Sequence, residues 1–73
     1  MLAMNTKLRA KQDIPHGFFC VNPECEADAI EIAAGETSVV VDTYLRGFEV
    51  QLDENENRWW FDNDQANLWE VIQ

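Results

Sequence analysis

Turn signals punctuate this 73-residue chain roughly every ten residues, and that spacing limits its fold more than any other feature. They fall at Asp13-Ile14-Pro15-His16-Gly17, Asn22-Pro23-Glu24, Ala34-Gly35-Glu36, Arg46-Gly47, Asp53-Glu54-Asn55-Glu56-Asn57 and Asp62-Asn63-Asp64. Short segments between frequent turns predict an all-β domain. No segment holds a 3.6-residue apolar period over three turns, so no long helix is expected. Repeats, Pro- or Gly-rich linkers and low-complexity tracts are absent, and the length suits a single domain spanning residues 1–73.

The strands follow from alternation. Residues 6–11 place Leu8 and Ala10 on one face and Lys7, Arg9 and Lys11 on the other. Residues 18–21 form a short apolar run, read as a strand. In residues 29–33, Ile30 and Ile32 point inward and Glu31 outward. Residues 37–42 are rich in β-branched side chains, which suit strands. In residues 48–52, Phe48, Val50 and Leu52 alternate with Glu49 and Gln51. Residues 58–61 are aromatic, and residues 68–72 close the chain. Asp53 to Asn57 is then the polar tip of a hairpin. Asp62-Asn63-Asp64-Gln65-Ala66 suits one helical turn capped by an Asp or Asn. Residues 1–17 read as an N-terminal arm and residues 29–73 as the core of the fold.

A chain this short buries only about 60% of its unfolded surface, so its core must be rich. Three Trp, four Phe and one Tyr supply that core, and an apolar fraction of 47% is too high for a disordered chain. In an extended strand Trp59 and Trp60 face opposite ways. One therefore fills the core, and the other points outward as an interface anchor or packs on the N-terminal segment. Phe18 and Phe19 need partners as well.

Charge sets the class of partner. Fourteen acids lie after Gln12 against two bases, Arg46 and Arg58, a net of −12. Such a field repels nucleic acid and anionic membrane and attracts basic protein surfaces. Glu24, Glu26, Asp28, Glu31 and Glu36 form one acidic run. Asp53, Glu54, Glu56, Asp62 and Asp64 form another. Both are candidate partner-binding surfaces, with Trp59 and Trp60 as candidate anchors, and both also serve solubility. No stretch approaches the ~20 apolar residues of a membrane span. The first residues lack the pattern of a signal peptide. The expectation is a cytoplasmic protein.

His16, Cys20 and Cys25 are the only soft metal donors. Cys20-Val21-Asn22-Pro23-Glu24-Cys25 resembles one half of a zinc ribbon, but the second cysteine pair of a ribbon is missing. A closed zinc site needs four ligands, and here there are three plus carboxylates such as Asp13 or Glu26. A core role for Cys20 and a loop thiol at Cys25, or a Cys20–Cys25 disulfide, are the alternatives. No cofactor is required by the sequence. Ser38, the single serine, falls within a strand, unlike the exposed serine of a nucleophile elbow. A Cys-His pair has too little chain around it to build a substrate pocket, and the glycines make no phosphate loop. The chain is expected not to be an enzyme.

From residue 30 to residue 72 the order of elements resembles a small Src-homology-3-like barrel. The residues that carry the likeness are Gly35-Glu36-Thr37, Gly47-Phe48-Glu49-Val50-Gln51-Leu52-Asp53, Trp59-Trp60-Phe61 and Leu68-Trp69-Glu70-Val71-Ile72. The likeness implies a barrel of about five to six short antiparallel strands with one helical turn before the last. The tyrosine-rich start and the proline beside the last turn of peptide-binding members are not present. In size and charge the chain is also similar to small acidic accessory proteins of phages and mobile elements, including inhibitors of CRISPR systems. That similarity implies a protein that mimics nucleic acid and blocks a basic surface of a defence complex. An adaptor or homodimer using an aromatic groove or sheet edge, through Trp59, Trp60 or Tyr44, is the alternative. A zinc-stabilised module is a third.

Overall fold

A computed structural model describes residues 2–73 and shows a mostly β fold with two antiparallel sheets. The strands are β1 (Lys7–Ala10), β2 (Ile14–Pro15), β3 (Ile30–Ile32), β4 (Thr37–Thr43), β5 (Gly47–Leu52), β6 (Arg58–Asp62) and β7 (Trp69–Val71). A 3-10 turn, His16–Phe18, follows β2, and a 3-10 helix, Asn63–Leu68, precedes β7. Five strands pair in the order β6-β5-β4-β1-β7, and β2 pairs with β3 in a separate ribbon.

The main sheet stops at β6 on one side and β7 on the other, and among the described residues no ladder joins them. The sheet is thus open where a closed barrel was expected. The stretch read as an arm supplies β1, which lies between β4 and β7.

One face of the sheet is apolar because alternate residues are apolar. Leu8, Ala10, Val40, Phe48, Val50, Leu52, Phe61 and Trp69 are buried there, joined by Ile14 and Ile32 from the ribbon. Fully burying a side chain of this size stabilises by about 1.5–3 kcal/mol each, which is what holds so short a chain. Phe61 is the hub, with its ring against Phe48, Trp69 and Phe19 at centroid distances of 5.8, 5.5 and 5.6 Å. Ser38 is also fully buried, within β4.

The β5–β6 hairpin has the tip drafted from sequence. Leu52 N–H donates to Asn57 C=O at 2.9 Å, and Glu56 takes a left-handed φ of 60° to close it. The helical turn also forms as drafted: Asp62 caps it, and Gln65 Oε1 accepts the Asp62 N–H at 2.9 Å. In β4 the register slips by one between Val40, opposite Val50, and Asp42, opposite Glu49. Val41 is the extra residue of a bulge.

Two segments depart from the expectation of the sequence. Residues 18–21 are not a strand, because the Phe19 and Cys20 N–H groups both turn back onto His16 C=O at 3.0 and 3.1 Å. Ile30 does not point inward with Ile32. It sits at the end of a two-stranded ribbon and is 53% exposed.

Gly47 has a steric reason. A Cβ there would collide with the Phe61 carbonyl oxygen and stand 2.5 Å from Trp60 Cζ2. The indole of Trp60 therefore lies across a bare stretch of β5, on the face opposite the core.

Candidate functional site

Between Ile14 and Ile32 no residue is fully buried. This limb is shaped by backbone hydrogen bonds. His16 N–H donates to Ala29 C=O at 2.7 Å and Gly17 N–H to Ala27 C=O at 3.1 Å, drawing its two sides together. The approach depends on the bare Gly17, since a Cβ there would stand 2.8 Å from Ala27 Cβ. A tight turn then brings Cys25 back towards Cys20. Cys25 N–H donates to Asn22 C=O at 3.0 Å, and Glu24 N–H to Asn22 Oδ1 at 3.0 Å.

The limb thereby converges its three soft donors. One ligand atom from each of His16, Cys20 and Cys25 lies within 4.8 Å of the others, close enough to bind a metal. The two sulfurs are 2.7 Å apart, and both cysteines are free and half-buried. His16 Nδ1 meets Glu31 Oε1 at 2.8 Å. That bond raises the His16 pKa above its ordinary value, with Cys20 adding to the effect. The Cys25 thiol, hydrogen-bonded to Cys20, holds the Cys20 pKa down, helped by the backbone at Asn22 and by His16. The same contact pushes Cys25 up.

An aromatic groove of about 400 Å³ lies against β6, lined by Phe18, Phe19, Trp59, Trp60, Asp62 and Gln65. Trp59 faces the core side, half-buried, with Phe19 stacked on it at 4.3 Å. Trp60 faces the other way and is 46% exposed, and Phe18 is 39% exposed. The N-terminal half of the chain thus covers one tryptophan and leaves the other outward. A second, more polar groove holds Leu45, Arg46, Asp62, Asn63 and Asp64, so Asp62 borders both.

The acids do not keep their sequence grouping. Glu24, Glu26 and Asp28 stay exposed on the limb, whereas Glu31 turns to His16. Glu36 leaves the first run to meet Glu54 of the second, and the Glu54 pKa is raised because its protonated carboxyl can hydrogen-bond to Glu36 while its ionised form is repelled by it. Asp53 beside them accepts from Thr37 Oγ1 at 2.6 Å and lies 3.9 Å from Lys7 Nζ. Glu56 is exposed at the hairpin tip, and Asp62 and Asp64 are exposed at the second 3-10 helix. Asp13 accepts the Ala34 N–H at 2.8 Å, which occupies it in the turn before β4. Sequence reasoning missed the role of Glu31, because a pairing across 15 residues leaves no local pattern. It missed Gln65 in the groove wall for the same reason.

No family model, curated protein or solved structure matches the chain. Among the described residues, no helix is long and apolar enough to cross a membrane.

Proposed function

We propose that the chain is a non-enzymatic protein-interaction module that docks a basic protein surface, with the aromatic groove beside β6 as its anchor. The observation that carries this reading is the outward Trp60, next to the exposed Phe18 and bordered by Asp62. Large aromatics exposed beside carboxylates suit a partner that offers an apolar side chain flanked by Lys or Arg. The net charge of −9 draws the same class of partner from a distance. The order β7-β1-β4-β5-β6, with a 3-10 helix before the last strand, supports a Src-homology-3-like architecture, opened between β6 and β7.

In its sharper form the partner is a nucleic-acid-handling complex of a defence system. The carboxylates of Glu36, Asp53 and Glu54, gathered from two sequence runs, then stand where phosphates would lie. Affinity capture at low salt, with stepped salt washes and mass spectrometry, names the partner. The affinity for that purified partner is then measured against salt and for Trp60→Ala. The reading requires that binding weaken as salt rises and that Trp60→Ala cost at least about 2 kcal/mol, the scale of an interface hot spot. Binding indifferent to both sinks it.

The unpaired edge of β6 favours a second reading, an adaptor or homodimer formed by adding a strand there. Salt-insensitive binding, or capture of the chain's own copies, points to that edge.

A further inference from the structure

The limb poses a question that the groove does not answer: why an exposed loop with no fully buried residue converges both thiols and the single imidazole of the chain. We infer that His16, Cys20 and Cys25 form a binding site for a zinc-class divalent cation, with Glu31 as the residue that positions the imidazole. The donor atoms already lie within 4.8 Å of one another. Two thiolates and an imidazole are the donor set that selects zinc over harder cations. Glu31 engages His16 Nδ1 at 2.8 Å, and with the ring proton held on Nδ1 by that carboxylate, Nε2 is the nitrogen that would offer its lone pair to the metal. A carboxylate behind a ligating histidine is the usual outer partner in such sites.

The sulfurs need to open slightly. Zinc–sulfur bonds of about 2.3 Å at the tetrahedral angle set the sulfurs about 3.8 Å apart, roughly 1 Å more than in this structure. Both cysteines are half-buried, and metal binding requires their side chains to part by that distance. Three donors leave one corner of the tetrahedron for water or for a donor brought by another molecule. The site also supplies what the limb lacks, a fixed point that does not depend on apolar burial. This inference stands apart from the proposed docking surface and survives if that reading fails.

The test uses the whole reduced chain and cobalt(II) as the optical probe. One equivalent should give a thiolate-to-cobalt charge-transfer band and the intense visible bands of a tetrahedral site. Zinc should displace them. Cys20→Ser and Cys25→Ser should abolish the charge transfer, and His16→Ala should weaken it. Glu31→Gln should keep the bands but lower affinity about 10- to 100-fold, as expected of an outer partner. Added imidazole should shift the bands, because it fills the open corner. A second measurement needs no variant: zinc should protect both cysteines of the native chain from alkylation, and a chelator should restore their reactivity. Weak bands of octahedral hydrated cobalt in the reduced chain would overturn the inference. Bands that do not change with His16→Ala would overturn it too, as would alkylation rates indifferent to zinc. A chain isolated two hydrogen masses light, and silent to cobalt after reduction, would mark the pair as a disulfide staple and overturn it likewise.

Discussion

The five-stranded sheet and the limb between Ile14 and Ile32 are held by different forces. In the sheet, ten buried apolar residues, two of them from the ribbon at the limb's ends, share one cluster around Phe61. The limb has no fully buried residue. Its ties are a few backbone hydrogen bonds, the Phe18 and Phe19 rings laid against Phe61 and Trp59 at the sheet, and the contacts among His16, Glu31, Cys20 and Cys25. The difference teaches where each kind of function can sit. The sheet gives a rigid platform for the outward Trp60. The limb gives polar and sulfur-bearing groups in a place that opens at low cost.

The comparison breaks most sharply at Phe61. Phe61→Ala should cost about 3–5 kcal/mol, as much as a domain of this size holds in total. Urea denaturation followed by circular dichroism should show the variant unfolded or nearly so. Gly47→Ala comes next. Its methyl meets the Phe61 carbonyl, so a loss of at least the ~1–3 kcal/mol of overpacked sites is expected by the same assay. A wild-type midpoint would show that β5 and β6 can part without cost.

Phe19→Ala sharpens the contrast instead of erasing it. It removes a half-buried ring and its aromatic contacts with Phe18, Trp59 and Phe61, worth about 1–3 kcal/mol together. Amide exchange should speed up in residues 16–29 while β4 and β5 keep their protection. Equal acceleration in both regions would mean that limb and sheet are one cooperative unit.

The smallest effect lies at Glu36 and Glu54. A carboxyl whose pKa is raised on folding gives stability that is full below its unfolded value, 4.5, and is lost as pH rises through the folded value. Glu54→Gln should therefore raise the melting temperature slightly at neutral pH and flatten that part of the pH profile. A lower melting temperature at neutral pH would show that the pair is not a net repulsion.

Much of the sheet was legible in the sequence because its cause is local. Phe48, Val50 and Leu52 alternate with polar residues, and the Asp53 to Asn57 tip and the Asp62 cap use residues whose preferences act over a few positions. The run Phe18-Phe19-Cys20-Val21 misled, since a short apolar run carries no period to separate strand from turn. Here His16 C=O decided the matter by accepting two N–H groups. At the site, His16, Cys20 and Cys25 were recognisable as donors by chemistry alone. That they converge, and that Glu31 joins them, depends on Gly17 admitting Ala27 and on the β2–β3 pairing, which are long-range facts. The opening between β6 and β7 was equally hidden, because strand alternation says nothing of how a sheet ends.

The bulge at Val41 gives β4 a peculiar arithmetic. Side chains in a strand obey parity, so losing one residue turns all those beyond it to the wrong face. Deleting Val39 would do this to the first half of β4. Deleting Val41 would not: Val40 would stay opposite Val50 and Asp42 opposite Glu49, with even and odd restored. Val41 is the one place in this strand where the chain can shorten by a single residue without turning its neighbours over. Length in the sheet is otherwise counted in twos, while in the limb it is counted in ones.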